Sequence, residues 1–435
     1  MILIYIPGIT SRVQYIFKLL LQDILGIEYR LTDLKEEFER FGGPRFVYDR
    51  IPVEGELFLE TAGLLFEAGI YPHELQTTQV KGLPVIFEGR HPRSLLPFDP
   101  FSACFYMVSR YEEYSRHKKD KYGRFQVSES IASQGKFLEK PIVHLWAEQL
   151  ALALLAYFPS LDLRPPDYRF IPTIDIDHAF AYRGRGMIRN MGSAGRSLLK
   201  GNVKDISLRF KVLSGMEKDP YDIYDYLHPL HLKMKLSPVY FILFASYGGD
   251  DNNISLRDKN FHRILRELDS DDGVGLHPSL SSNKHRDRLE SEWRGLSGIL
   301  GRDILLSRQH FLKISFPRTY RNLIKLGITD DFSMGYASHM GFRAGIAIPF
   351  QFFDLSNNEI TALRVHPVAI MDVTLKDYLR LSPEESLETI RRVITTIKAV
   401  NGEFVSLWHN ESLSESGRWK GWRMVYNEML EMAVE

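Results

Sequence analysis

The sequence predicts an α/β fold in which a parallel barrel of strands and helices follows a smaller amino-terminal α/β domain. Beyond Pro165-Pro166, helix-like segments alternate with seven short apolar runs. Each run ends on a polar or ionisable side chain, as expected where the strands of a parallel barrel deliver residues to a site on its carboxyl face. A doubly wound open sheet would alternate in a similar way and is the alternative fold.

The length and the composition favour two domains over one. The chain has 435 residues, of which 44% are hydrophobic and 25% are charged, as in globular proteins with sizeable cores. We place the boundary at the proline pair, so that residues 1–165 form the amino-terminal domain and residues 166–435 form the barrel. The first of these domains carries no ordered set of catalytic residue types, so the sequence assigns it no role.

The charge balance and the cysteine count exclude several classes of protein. There are 55 basic and 55 acidic residues, so no overall charge points to a nucleic-acid partner. Cys104 is the single cysteine, which excludes an internal disulfide and a thiolate metal cluster. The apolar residues 1–8 lack a basic leader region and include Pro7, so they resemble a first strand more than a signal peptide and predict a cytoplasmic protein.

The predicted barrel strands follow one another through the second domain. The first covers residues 170–174 and ends at Asp175. The other predicted strands cover residues 239–244, 274–276, 304–306, 328–329, 368–371 and 404–408. The helix before the last strand has the clearest signals, because Ser382 caps its start and Asn401-Gly402 ends it.

Four side chains at the strand ends suit a hydrolytic metal site. Asp175 and Asp177 follow the first strand, His277 follows the third and His409 follows the last. Carboxylate and imidazole ligands suit a divalent ion such as zinc, which keeps one position open for water. With Asp177 and His277 as ligands, Asp175 would be the base and His409 the acid. The structural alternative is that Asp177 caps a helix and Asp175 bonds to backbone amides.

These residues resemble, in order, the motifs of the polysaccharide deacetylases of the NodB-homology type, which remove acetyl groups from glycans. The matching segments, which lie within residues 168–415, are Thr173-Ile174-Asp175-Ile176-Asp177, Gly275-Leu276-His277-Pro278-Ser279, Gly341-Phe342-Arg343-Ala344-Gly345 and Leu407-Trp408-His409. The resemblance implies a distorted barrel of seven or eight strand–helix units. The whole chain is similar to a bacterial branch of that family in which an amino-terminal domain precedes the barrel.

The resemblance also implies a role for each matching residue. Asp175 would be the general base, Arg343 would orient it, and His409 would be the catalytic acid. Asp177 and His277 would bind the metal. Asp372 is similar to part of a weaker fourth motif. The side chains expected to contact the substrate are Arg308, Asp372 and Trp408.

One position departs from the family pattern. The family has a second metal-binding histidine four residues after the first, and here that residue is Ser281. His285 lies too far along, because eight residues of helix rise about 12 Å. His310 follows another strand and could supply the missing nitrogen. The expected ligand set is therefore Asp177 and His277, with Ser281 or His310 completing the site for zinc or another divalent ion.

A basic segment from Arg183 to Lys211 lies between the first two predicted strands and should overhang the same face of the barrel. It includes Arg189, Arg196 and Lys200 and would suit an anionic glycan, a lipid-linked precursor or a membrane surface. The alternative is a solvated helix face.

Three functions are consistent with the sequence. The first is a metal-dependent deacetylase that acts on N-acetylated sugars of a bacterial polysaccharide or its precursor. The second, motivated by Ser281, is a barrel that binds a glycan or a partner without turnover. The third is an amidohydrolase that acts on a small amide.

Overall fold

The structure is a computed structural model that describes residues 1–199, 201–245, 248, 251, 253–269 and 273–435. The amino-terminal strands are β1 (Ile2–Tyr5), β2 (Tyr29–Thr32), β3 (Arg45–Asp49), β4 (Phe58–Glu60), β5 (Thr78–Val80) and β6 (Leu83–Val85). The helices of this part are α1 (Ser11–Phe17), α2 (Lys35–Arg40), α3 (Pro100–Val108), α4 (Ile131–Gln134) and α5 (Ile142–Tyr157). A wider helical turn over Lys18–Ile24 continues α1.

The amino-terminal part contains a small parallel sheet of four strands in the order β2-β1-β3-β4. Strands β5 and β6 form a separate antiparallel hairpin. Helix α5 begins and ends where its apolar periodicity predicts, and eight of its residues are buried. The smaller α/β unit that the sequence predicts is therefore present.

The larger part of the chain contains nine strands and eight helices within the described residues. The strands are β7 (Arg169–Ile176), β8 (Val239–Ile242), β9 (Val274–Leu276), β10 (Leu306–Ser307), β11 (Asp330–Met334), β12 (Phe350–Asp354), β13 (Glu359–Pro367), β14 (Ile370–Met371) and β15 (Glu403–His409). The helices are α6 (Met187–Leu199), α7 (Val203–Leu213), α8 (Tyr224–Lys233), α9 (Lys259–Leu268), α10 (Arg286–Leu300), α11 (Arg318–Lys325), α12 (Pro383–Lys398) and α13 (Trp422–Val434).

These nine strands form one sheet in the order β12-β13-β11-β10-β9-β8-β7-β15-β14. Every neighbouring pair is parallel except β12 and β13, which form an antiparallel hairpin at one edge. The sheet order follows the chain order from β7 to β11, as successive right-handed strand–helix units require.

The sheet curls, because its distant strands share one small apolar core. Phe241 of β8, Phe332 of β11, Met371 of β14 and Val405 of β15 belong to the same buried cluster. The side chains on the other face of the sheet, such as Ile174 of β7, pack in the larger core that includes residues of the surrounding helices. The fold is therefore a distorted α/β barrel, as predicted, and not a doubly wound open sheet.

A seam remains between β13 and β14, because the sheet order runs from the β12–β13 hairpin at one edge to β14 at the other. No backbone pairing joins these strands in the part of the chain that the structure describes. Side chains bridge the seam instead. The Nδ1 atom of His366 on β13 lies 2.6 Å from the carboxylate of Glu403 on β15. Its Nε2 atom lies 2.8 Å from the carboxylate of Asp330 on β11. All three residues are buried, so the bridge is shielded from solvent.

The amino-terminal part covers this seam. The segment that follows β11 passes between the two parts, and Gly345 accepts a hydrogen bond from the Val143 amide at 2.9 Å. Ala347 donates its amide to His144 at 3.1 Å and accepts a hydrogen bond from the Glu403 amide at 2.6 Å. Both parts of the chain thus form hydrogen bonds with the segment around Gly345 and Ala347. The domain boundary at residue 165 stays a prediction.

Two features of the barrel differ from the sequence-based strand assignment. The β12–β13 hairpin was not predicted, although Asn357-Asn358 lies at its turn and Asn358 has a positive φ of 54°. Asp330 and Asp331 begin β11, whereas the sequence predicted that they follow a strand. Among the described helices, none combines the length and the apolar composition that crossing a membrane requires.

We expect the variant His366→Gln to lose stability in a pH-dependent way. Burial alone would lower the pKa of His366, but its hydrogen bonds to Asp330 and Glu403 raise it. The stabilisation from the charged imidazole is therefore complete below about pH 6.5, the unfolded-state pKa, and is lost as the pH rises through the higher folded-state pKa. Urea unfolding should show a loss of about 3–5 kcal/mol at pH 6 and a smaller loss at pH 9.

The matched control for this measurement is His228→Gln, at an exposed position on α8. Its stability difference from the wild type should be small at both pH values. An equal loss for His366→Gln at pH 6 and pH 9 would show that the bridge across the seam does not depend on a charged imidazole.

Candidate metal centre

The carboxyl ends of the central strands bring together acidic and basic side chains from distant parts of the sequence. Residues alternate along a strand, so Thr173, Asp175 and Asp177 project to the inner side, while Ile174 and Ile176 pack against the helices. The turns after β9 and β10 and the last residue of β15 add side chains to the same place. These side chains are those of His277, His310 and His409.

Asp177, His277 and His310 form a group that could hold a metal ion. One ligand atom from each residue lies within 4.8 Å of the ligand atoms of the other two. The Nε2 atom of His277 is 3.3 Å from Oδ1 of Asp177, and the Nε2 atom of His310 is 3.5 Å from Oδ2 of Asp177. One carboxylate and two imidazoles thus converge from three strand ends.

Hydrogen bonds on the far side of each imidazole ring orient the two histidines. Nδ1 of His277 donates to the backbone oxygen of Arg308 at 2.5 Å, and Nδ1 of His310 donates to Asp251 at 3.0 Å. These assignments leave a lone pair on each Nε2 atom, directed towards Asp177. Partners of this kind fix the tautomer and the ring orientation of metal-binding histidines.

The donor atoms of this group fit a divalent cation. Oδ1 of Asp177 and Nε2 of His277 are buried and have no hydrogen-bond partner among the described residues. Buried polar atoms without a hydrogen-bond partner destabilise a fold. Two such atoms close to each other therefore indicate that a ligand binds there. A carboxylate with two imidazoles is a ligand set used by catalytic zinc sites, which keep a further position for water or substrate.

The charges in the group are strongly coupled. Burial would raise the pKa of Asp177, but the neighbouring His310 and His277 bring it well below its ordinary value. Burial would lower the pKa of His310, but Asp177 and Asp251 raise it to about 9. The site therefore combines the ionised carboxylate of Asp177 with an imidazole, that of His310, which a cation would have to deprotonate before binding.

The turn that carries His310 has an unusual backbone. Phe311 and Leu312 have positive φ values of 60° and 52°, which large side chains rarely adopt. A loop of the amino-terminal part supports this turn. The Tyr122 ring stacks on the Phe311 ring at 4.6 Å, and Arg124 donates to the Phe311 carbonyl at 3.1 Å. Strained turns held by their surroundings occur at functional sites.

Asp175 is buried beside the three candidate ligands. Its Oδ1 atom accepts a hydrogen bond from Nη1 of Arg308 at 2.9 Å, and its Oδ2 atom lies 3.7 Å from Nε2 of His277. Arg308 is fully buried, and it also donates to Thr173 at 2.6 Å and to the carbonyl of Phe332 at 2.9 Å. The buried guanidinium compensates the charge of the Asp175 carboxylate.

His409 also lies next to Asp177, with its Nε2 atom 3.9 Å from Oδ2. Asp372 holds the ring, because its carboxylate accepts hydrogen bonds from Nδ1 and from the backbone amide of His409, each at 2.8 Å. Burial would lower the pKa of His409, but Asp372 and then Asp177 raise it to about 10. Asp372 is thus a partner of His409 within the protein, rather than the substrate contact that the sequence predicts.

Three other predicted site residues lie elsewhere than expected. Arg343 is paired with Glu113 through two hydrogen bonds, at 2.6 and 2.9 Å, whereas Arg308 contacts Asp175. The Trp408 ring is buried and packs against Trp422 and Tyr426 of α13, because β15 places it on the helix-facing side. Arg308, expected at the substrate, is enclosed by the strands.

Ser281 does not occupy the place of the missing histidine. Its hydroxyl group bonds to the Ser279 hydroxyl at 3.0 Å, and its amide donates to Asp251 at 3.2 Å. His310 supplies the second imidazole of the group instead. Of the two candidates that the sequence left open, the structure therefore places His310 beside Asp177.

Sequence reasoning missed three residues at the site. Asp251 orients His310 but lies in an acidic turn without a motif. His178 directly follows Asp177, and burial together with nearby positive charges lowers its pKa to about 4 although Asp177 opposes this. Glu411 follows His409 by two residues, and burial raises its pKa although the charge of His409 lowers it. Proximity in sequence to Asp177 and His409 was the available signal for the last two.

The basic segment between β7 and β8 forms the two helices α6 and α7. Several of its charges are engaged within the protein: Arg209 contacts Asp205 at 3.3 Å, and Lys211 contacts Glu217 at 2.7 Å. Lys200 lies outside the described residues. Contact of this segment with a glycan or a membrane stays a prediction.

Comparison with known proteins gives limited likenesses. Residues 2–159 match a model described as a family of unknown function (DUF7033), which covers less than half of the chain. No curated protein matches the sequence. Similar solved structures include one from Mycobacterium smegmatis and one from Pseudomonas aeruginosa PAO1, each described as a candidate polysaccharide deacetylase, and the Puue allantoinase.

These three structures are, in the same order, 13%, 10% and 11% identical to this chain. Each alignment covers 62% of this chain and 84%, 88% and 88% of the other chain, with TM-scores of 0.39, 0.38 and 0.38. Because these TM-scores are low, the function is inferred below from the geometry of the site alone.

Substitutions at the candidate ligands should separate the roles of His310 and Ser281. We expect His310→Ala to reduce zinc affinity most, since it removes a ligand, and Asp251→Asn to reduce it about 10–100-fold by loosening the ring. Ser281→Ala should leave it nearly unchanged. Competition of the purified, metal-stripped protein with a chromogenic chelator measures these affinities. If Ser281→Ala weakened zinc binding as much as His310→Ala, this ligand assignment would be wrong.

Proposed function

We propose that this protein is a metal-dependent hydrolase that removes acetyl groups from N-acetylated sugars of a bacterial polysaccharide or its precursor, and that the metal is zinc. The observation that carries the proposal is one arrangement of side chains. A buried carboxylate, Asp175, lies 3.7 Å from His277, and an imidazole held by a carboxylate, His409, lies 3.9 Å from Asp177, so both adjoin the group formed by Asp177, His277 and His310.

The ion would supply Lewis-acid activation of the water and of the acetyl carbonyl. Asp175 would act as the general base. Its Oδ1 atom is engaged by Arg308, so the proton of the attacking water would pass to Oδ2, which faces His277. The hydrogen bond from Arg308 holds the carboxylate of Asp175 in place beside His277.

His409 would act as the general acid. The Asp372 carboxylate binds Nδ1–H, so Nε2 is the atom that carries the transferable proton towards the site. As the bond from water oxygen to the acetyl carbon forms and the bond from carbon to nitrogen breaks, this proton would go to the leaving nitrogen. The products are acetate and the free amino sugar, and the proton taken by Asp175 returns to solvent.

The position of His310 also bears on the non-catalytic alternative. That alternative was motivated by Ser281 in place of a second histidine. His310 offers an Nε2 atom 3.5 Å from Asp177 and is oriented by Asp251, so a second imidazole is available without the usual spacing. No described contact favours a small cyclic amide over an acetylated sugar.

We expect Asp175→Asn and His409→Gln each to reduce acetate release from acetylated oligosaccharides about 10²–10⁴-fold. Asp175→Asn removes the base, and His409→Gln removes the acid while keeping a side chain of similar size. Acetate is measured enzymatically after incubation of the zinc-loaded protein with N-acetylchitotetraose and with acetylated acidic oligosaccharides.

The control variant is Asp225→Asn, which changes an exposed carboxylate on α8 and should keep full activity. Zinc content is measured for every variant, so that a loss of metal is distinguished from a loss of proton transfer. Absence of acetate from the whole panel with zinc-loaded wild-type protein would refute the deacetylase proposal.

A further inference from the structure

Among the residues that the structure describes, those that line a groove beside the metal centre carry an excess of positive charge, although the chain as a whole has no net charge. The groove has a volume of about 1480 Å³, and Asp251, which orients His310, forms part of its wall. Within the described part of the chain, two carboxylates line it, those of Asp251 and Glu292. The cationic residues that line it are Lys121, Arg257, Lys284, Arg288 and Lys313.

The two carboxylates do not neutralise these cations, because both are engaged within the protein. Asp251 accepts hydrogen bonds from His310 and from the backbone amides of Leu280 and Ser281. Glu292 accepts hydrogen bonds from the amide and the hydroxyl group of Ser279, at 3.1 and 2.5 Å. Burial raises the pKa of Glu292 to about 7, so its negative charge is incomplete at neutral pH.

Lys313 is the most informative of the five cations. It is only 5% exposed, yet its ammonium group makes no ion pair with any residue that the structure describes. The neighbouring carboxylate of Asp120 is held by Arg124 at 2.6 Å. Burial lowers the pKa of Lys313, and the charges of Lys284 and Arg318 lower it further. The ammonium group is not among the buried atoms that lack a partner, so the acid group of a ligand in the groove could reach a cation that no described carboxylate neutralises.

Lys313 is also placed to act on a substrate of the metal centre. It lies three residues after His310, at the end of the strained turn, and close to Gly123 of the supporting loop. The exposed side chains of Lys284 and Lys121 extend the positive charge outward from it. The groove therefore offers one buried cation near the centre and further cations along its length.

We propose that this groove binds the acid groups of an anionic glycan, and that Lys313 binds the acid group nearest the acetylated sugar. The inference rests on the proposed function, because it names the substrate class of the same site. The volume exceeds the range of about 300–1,000 Å³ that is common for small-molecule pockets, which favours an extended chain over a single sugar. Carboxylate, phosphate and sulfate groups share the chemistry that an ammonium group recognises.

Binding, measured without turnover, tests this proposal. Isothermal titration calorimetry with the zinc-loaded Asp175→Asn variant compares three ligands. The first is an acidic tetrasaccharide in which glucuronate alternates with N-acetylated sugar. The second is N-acetylglucosamine 6-phosphate, and the third is neutral N-acetylchitotetraose. We expect the glucuronate ligand to bind at least about tenfold more tightly than the neutral one at low salt, with the difference shrinking as salt rises. Tighter binding of the phosphate ligand instead would assign the site to phosphorylated glycans.

Lysine substitutions made in the same Asp175→Asn background locate the effect. Lys313→Met and Lys284→Gln should each weaken binding of the acidic ligand, by about tenfold for Lys313→Met, and leave the neutral ligand unaffected. The control is Lys233→Gln, at an exposed position on α8 outside the groove. Lys284 is exposed, so its variant tests the proposal even if Lys313→Met fails to fold.

The outcomes separate this inference from the proposed function. Equal binding of acidic and neutral ligands, together with acetate release by the wild type, would overturn the anionic subsite and leave the deacetylase proposal standing. Lysine-dependent binding of the acidic ligand without acetate release from any ligand would support the subsite and overturn the deacetylase proposal.

Discussion

The buried guanidinium of Arg308 is the interaction on which the barrel and its site depend together. It donates to Asp175 and Thr173 on β7 and to the carbonyl of Phe332 on β11, and it lies 4.4 Å from the centre of the Phe241 ring on β8. The backbone oxygen of the same residue orients His277 after β9. One residue thus joins the inner faces of several strands and sets two of the functional side chains.

This arrangement explains how a charged group can be tolerated inside the curled sheet. An arginine in an apolar core is costly unless its donors find acceptors, and here a carboxylate, a hydroxyl group and a carbonyl accept hydrogen bonds from Nε and Nη1. The Nη2 atom has no partner among the described residues. In return, the charged pair fixes the inner side of β7, since a shift by one residue would turn Asp175 and Asp177 towards the helices and Ile174 into the site. The pair of Arg308 and Asp175 therefore fixes the register of β7 and the position of the candidate base together.

Much of the barrel and part of the site could be predicted from the sequence. Strand periodicity and strand-end polarity identify β7 and β15, and the ordered series places Asp177, His277 and His409 near one another. The sequence could not predict which residue each of these side chains contacts. Arg343 and Arg308 are both buried arginines, and only the packing shows that one contacts Glu113 and the other Asp175. Asp251 contributes through a contact 59 residues away in sequence, which no local pattern reveals.

The seam between β13 and β14 has a consequence for how the molecule is made. The barrel has no continuous ring of backbone hydrogen bonds, so the segment around Ala347 and the residues that hold it, Val143 and His144, complete the wall. In a chain synthesised from its amino terminus, the amino-terminal part, which covers the seam, is made before the barrel strands. The barrel strands are therefore synthesised when the residues that cover the seam are already present.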